Sequence, residues 1–315
     1  MINQSQWPSP EECDVINFDR LRKFQKNLIR WKAMLAGNDP HSIQQQIINI
    51  SWDDAIYWSF NEGLALNQNR KKPMKLPASL IELIHDRYFQ SQVLLFRRLY
   101  EEKAKNHKRE VYSIRTVLNE MKIASNLIVR EAYVCYDGIL YEIEDTRHDW
   151  RTKAECVNRH KVFDTFCLFC DKSRNREDKI DINIIESFGQ KINDDLEKLN
   201  YYSNKYIAHA SAIANRKTAD KEPPLLSLGY LQELHQSAIW LAQTMGKFAD
   251  QLVLTSVPTP QFDQLEGWEH LFDRTIKEEL YNIWRERVAL IKKWARMYWV
   301  TDSLYITVTE TRNIK

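Results

Sequence analysis

The chain predicts an all-α protein, and three observations carry that prediction. Only 7 glycines and 9 prolines punctuate 315 residues, too few for the closely spaced turns of a β architecture. Apolar residues recur at spacings of three and four along most of the length, the period of a helix with one buried face. Alternation of period two is confined to Leu304–Thr309 near the C-terminus, where one strand is predicted. Hydrophobic residues make up 43% of the chain, including 10 Trp, 14 Tyr and 12 Phe. That supplies a core and excludes general disorder.

Each element follows from a local pattern. Pro8–Pro10 reads as a tail. Val15, Phe18, Leu21, Phe24, Leu28, Trp31 and Leu35 then mark a helix that Gly37-Asn38 ends. Ile43, Ile47 and Ile50 make a shorter helical or loop element. Ser51 with Asp54 suggests a capping box opening a second helix, Trp52–Leu66. The polar run Asn67–Pro73 reads as a solvated loop. Pro77 suits the first turn of a helix that reaches about Glu102. Ser113 caps the next, which apolar residues from Ile123 extend towards Asp137-Gly138. A helix over Asp149–Phe169 and the charged loop Ser173–Lys179 follow.

Asp181 opens a long amphipathic helix with Ile184, Ile185, Phe188, Ile192, Leu196, Leu199 and Tyr202 on its apolar side. After the polar stretch Lys217–Pro224 comes Leu228–Leu254. Pro258 and Pro260 mark another break, and a final helix starts at Trp268.

Formal charge is +2 with 28% charged residues, so no global field argues for a nucleic-acid partner. No stretch approaches the length of a membrane span and no signal-like N-terminal region is present, so a cytoplasmic protein is expected. The odd count of 5 cysteines then favours reduced thiols. Cys167 and Cys170 form a lone CxxC that reads as part of an apolar run, and no metal site or cofactor is expected. His148 and His160 read as surface residues. The tryptophans read mostly as core anchors, with base stacking by Trp294 or Trp299 as the alternative.

The chemistry-bearing segment is Tyr201–Ser211, reading YYSNKYIAHAS. On a regular helix His209 shares a face with Lys205 and Tyr202, and Lys198 lies near the same line. Positive neighbours disfavour imidazolium, so His209 stays neutral near pH 7 and can accept a proton. An imidazole beside cations suits metal-independent RNA cleavage: His209 moves the 2′-hydroxyl proton and a cation stabilises the phosphorane charge. The bland alternative is a solvated histidine near a helix end.

This segment resembles the signature of HEPN domains, in which an arginine, usually followed by a polar residue, precedes a histidine by four to six positions. Two further stretches, SQVLLFRRLY over Ser91–Tyr100 and VYSIRTVL over Val111–Leu118, resemble the early helices of the abortive-infection (U-type) HEPN-like family. The likeness spans about Ala78–Gln251. It implies an HEPN-like helical bundle over 78–255, flanked by helical extensions over 1–77 and 256–315. It also implies a homodimer and, in active members, endoribonuclease chemistry in phage defence or toxin–antitoxin systems, where an antitoxin or defence partner is expected. Residue by residue, it makes His209 the catalytic histidine and Asn204 its polar companion. Ser203 stands where the arginine belongs. Lys205 is then the catalytic cation, and Ser203, Tyr202, Arg97 and Arg98 are the candidate contacts to RNA or nucleotide. Two expectations stand together: a weakened endoribonuclease, or a non-catalytic protein-interaction module on the same dimer scaffold. Family members that accept an adenylyl group carry a Tyr at the position of Ser211, so that modification is not expected here.

Overall fold

A computed structural model describes residues 7–71, 75–101, 111–143, 150–167, 173–203, 207, 226–249, 263–272 and 274–296. They fold as helices with no strand among them; extended backbone pairs only in an isolated antiparallel bridge between Val129 and Lys179. The helices are α1 (Phe18–Ala36), α2 (Ile43–Asn69), α3 (Ala78–Tyr100), α4 (Ile114–Ile123), α5 (Arg130–Cys135), α6 (Trp150–Asp164), α7 (Ile182–Tyr202), α8 (Leu228–Phe248) and α9 (Lys277–Arg296). The all-α expectation holds for these residues. The predicted strand at Leu304–Thr309 lies outside them. None of these helices is long and apolar enough to cross a membrane.

Capping side chains set several helix starts. Asn17, Ser42, Ser113, Asp181 and Ser227 each accept a backbone N–H from the first turn of the helix that follows, satisfying donors that have no partner within the helix. Ser51 is not a cap. It is buried within α2, one continuous helix of 27 residues, and the predicted break before Trp52 does not exist. α2 packs against α1, α3, α8 and α9, so it is apolar on several sides and offers no single stripe to read.

Other elements also differ from expectation. Pro8–Pro10 is no tail: Ser9 caps a short 3-10 turn over Pro10–Glu12, Pro10 is buried, and Trp7 packs edge-on against Tyr136 at 4.9 Å. The helix expected to run from Ser113 towards Asp137 ends at Ile123, then resumes as α5 after a 3-10 turn over Ser125–Leu127. α6 ends at Asp164, and α8 ends at Phe248.

One apolar core joins residues of α1 to α9, with Leu21, Leu28, Val93, Phe96, Val117, Ile192, Leu199 and Leu241 wholly buried within it. Each such side chain contributes roughly 1.5–3 kcal/mol. A smaller cluster of Phe60, Leu265, Phe272, Ile276 and Leu280 seats the start of α9 on α2. Gly63 permits that approach, because a Cβ there would lie 3.0 Å from Leu280 Cδ2 and 3.1 Å from Phe272 Cζ. His160, expected at the surface, is buried, and Trp294 is a core anchor, as its helical spacing predicts. His160 Nε2 meets the Tyr141 carbonyl at 2.8 Å, and Trp294 packs against His235.

One group of polar side chains inside the core is paired across helices. Arg287 of α9 donates to both carboxylate oxygens of Asp54 on α2, at 2.7 and 3.0 Å. The Tyr88 hydroxyl donates to Asp54 at 2.9 Å. Burial alone would raise the Asp54 pKa, but the charges and hydrogen bonds around it hold it below the usual carboxylate value. His235 of α8 lies beside them, 3.7 Å from Asp54, with Nε2 donating to Gln92 Oε1 at 3.1 Å. Burial, reinforced by the Arg287 charge and only partly offset by Asp54, pushes the His235 pKa down to about 4. At neutral pH the imidazole is therefore uncharged, and Arg287 is the cation that keeps Asp54 ionised.

This has a pH consequence. An unfolded histidine protonates near 6.5, whereas folded His235 resists protonation until about 4. Between those values the unfolded chain binds the extra proton, so stability is complete above the upper value and falls as pH drops towards the lower. Urea unfolding midpoints should fall over that window by the equivalent of about 2–3 kcal/mol. His235→Phe should flatten the profile; an equally steep profile in that variant would place the titration elsewhere.

Candidate functional site at the end of α7

α7 buries Ile185, Phe188, Ile192 and Leu199 and packs on α3 and α4, with Phe188 edge-on to Trp240 of α8 at 5.0 Å. Asp195 is buried on the same helix. Burial raises its pKa despite the opposing charges of Lys191, 3.0 Å away, and Lys198. Lys198 itself is exposed, with its ammonium 5.0 Å from the centre of the Tyr230 ring.

Just beyond Tyr202, Ser203 and Ile207 both have π-type winding. Such winding is uncommon and recurs at functional sites. Ser203 is fully buried. Its Oγ accepts a hydrogen bond of 2.7 Å from Nη1 of Arg97, 106 residues earlier on α3. Arg97 is half-buried and has no carboxylate partner among the described residues. Most arginines of the interior are neutralised instead: Arg130 by Asp164 and Asp178, Arg159 by Asp137 and Glu155, Arg287 by Asp54. A guanidinium held against the motif serine, with no carboxylate beside it among the described residues, is the distinctive electrostatic feature here.

The sequence candidates thus separate. Arg97 and Ser203 are brought together. Arg98 is exposed and points elsewhere, its Nη2 donating to His41 Nδ1 at 2.7 Å just before α2. Tyr202 is half-buried against the core. Asn204, Lys205 and His209 lie outside the described residues, as do His148, Cys170 and Trp299. His41 was not anticipated: it sits in a turn before the helix and no local pattern singles it out.

No family model matches the chain, and no curated protein or solved structure shows significant similarity to it.

Proposed function

We propose that this chain binds single-stranded RNA or nucleotide at the C-terminal end of α7 and cleaves RNA without a metal. In this reading Arg97 of α3 supplies the cation that the HEPN-like motif would place at position 203. The observation that carries it is the Arg97–Ser203 hydrogen bond, made by a guanidinium with no carboxylate partner among the described residues.

The chemistry balances. His209 takes the proton from a ribose 2′-hydroxyl as that oxygen attacks the adjacent phosphorus. The bond from phosphorus to the 5′ oxygen breaks, and that oxygen takes a proton from water as it leaves. The products are a 2′,3′-cyclic phosphate and a 5′-hydroxyl. Negative charge grows on the non-bridging oxygens in between, where a planar guanidinium offers two parallel donors and an ammonium such as Lys205 offers a point charge. Asn204 would position the phosphate. Tyr202 would shape the approach, Ser203 would hold Arg97 in place, and Arg98, turned towards His41, takes no part. Phage defence or a toxin–antitoxin system, acting as a homodimer, is the setting that the resemblance supports.

A second reading, a protein-interaction module, is favoured by Leu80, Leu83 and Leu94, which are exposed on α3. They lie within one outward stripe of the helix that also carries Arg97. Incubation of a single-stranded RNA panel with chelator present separates the two readings. Cyclic-phosphate ends are expected from the wild type and none from His209→Ala. Intact RNA in both would leave the interaction module standing.

A further inference from the structure

A cavity of about 430 Å³ opens between α2, α3 and the segment around Trp268, with walls that include Asp53, Tyr57, Phe60, Leu80, Tyr88 and Trp268. Its size falls within the range of small-molecule sites, roughly 300–1,000 Å³. It shares no wall residue with the Arg97–Ser203 pair.

The polar groups around it are unequally committed. The Tyr57 hydroxyl is engaged by His85 Nδ1, and the Tyr88 hydroxyl by Asp54. Asp54 is saturated by Arg287 and Tyr88. Its neighbour Asp53 has no hydrogen bond or ion pair among the described residues, and loss of solvent beside the cavity raises its pKa. Asp53 stands at the solvent-facing edge of the cavity with no cation beside it among the described residues, and a ring-lined site attracts cations further through the aromatic quadrupoles.

We propose that this cavity is a binding site for a small organic cation, an ammonium carried on an apolar body, with Asp53 as its counterion. An anion is repelled by Asp53. A neutral apolar molecule gains the rings but leaves the carboxylate unpaired. Charge complementarity therefore selects the cation.

Choline and its uncharged carbon isostere 3,3-dimethylbutan-1-ol differ in charge and share their shape, so they serve as paired probes in titration calorimetry. Choline should bind at least about tenfold more tightly than the alcohol, the ratio expected from one partly desolvated cation–π and ion-pair contact. Asp53→Asn should erase that preference. Asp53→Lys, which supplies a cation from the chain itself, should abolish choline binding. Asp53 is exposed on α2, and unchanged thermal unfolding would confirm that both variants are folded. Equal affinity of the wild type for the two probes, a choline preference retained in Asp53→Asn, choline binding retained in Asp53→Lys, or no choline binding up to about 10 mM would overturn the proposal.

Discussion

Asp54→Ala is expected to cost about 3–5 kcal/mol of stability, because it leaves the Arg287 guanidinium buried without its counterion. Arg287 is buried and held between Asp54 and aromatic rings, 4.4 Å from the Trp58 ring centre and 5.3 Å from that of Trp294. The Tyr88 hydroxyl loses its acceptor in the same variant. Asp54→Asn keeps the shape but not the charge, and should lose most of the same amount. Two ions were desolvated to make the pair, so it adds little net stability over an apolar pair of similar volume. Asp54→Leu combined with Arg287→Met should therefore recover much of the loss. Urea denaturation of the two single variants and the double variant measures this directly. A loss below about 1 kcal/mol for Asp54→Ala would show that solvent reaches Arg287.

Arg97→Ala is expected to lower metal-free RNA cleavage by about 100- to 1,000-fold, the usual cost of removing one preorganised donor from developing transition-state charge. Its folding cost should be small, because only the hydrogen bond to Ser203 is lost and Arg97 is partly solvated. Arg97→Lys keeps the charge without the fork and should fall between alanine and wild type. Ser203→Arg alone would place a second guanidinium in a fully buried position against Arg97, so it should destabilise the protein and not enhance cleavage. Exchanging the two residues, Arg97→Ser with Ser203→Arg, removes that repulsion and should return part of the activity. An exchange variant as inactive as Arg97→Ala would show that the cation must come from α3.

What the sequence revealed follows the distance over which each feature is determined. Ser113 and Asp181 were legible as caps because an N-cap acts on backbone within three residues. The α7 stripe was legible because one face of that helix is buried and the other solvated. Ser51 misled: a serine three residues before an aspartate looks like a capping box, but α2 is covered on several sides and runs straight through it. His160 was misplaced for a related reason, since a polar residue is buried only when a distant group receives it. The Tyr141 carbonyl does so here. That partner lies outside the helix that carries His160. The Arg97–Ser203 contact is the same case at the candidate site. Both residues were candidates on local grounds, but nothing local says that a helix ending at Tyr100 sets its arginine against the end of a helix that starts at Ile182.

The direct test of the central claim is the initial rate at which wild type and Arg97→Ala cleave the same single-stranded RNA, measured side by side with chelator present and both proteins shown to be folded. Arg97 acting in place of the missing motif arginine predicts cyclic-phosphate product from the wild type and a rate at least about 100-fold lower from the variant. Equal rates would remove Arg97 from the site, and an inactive wild type would remove the ribonuclease.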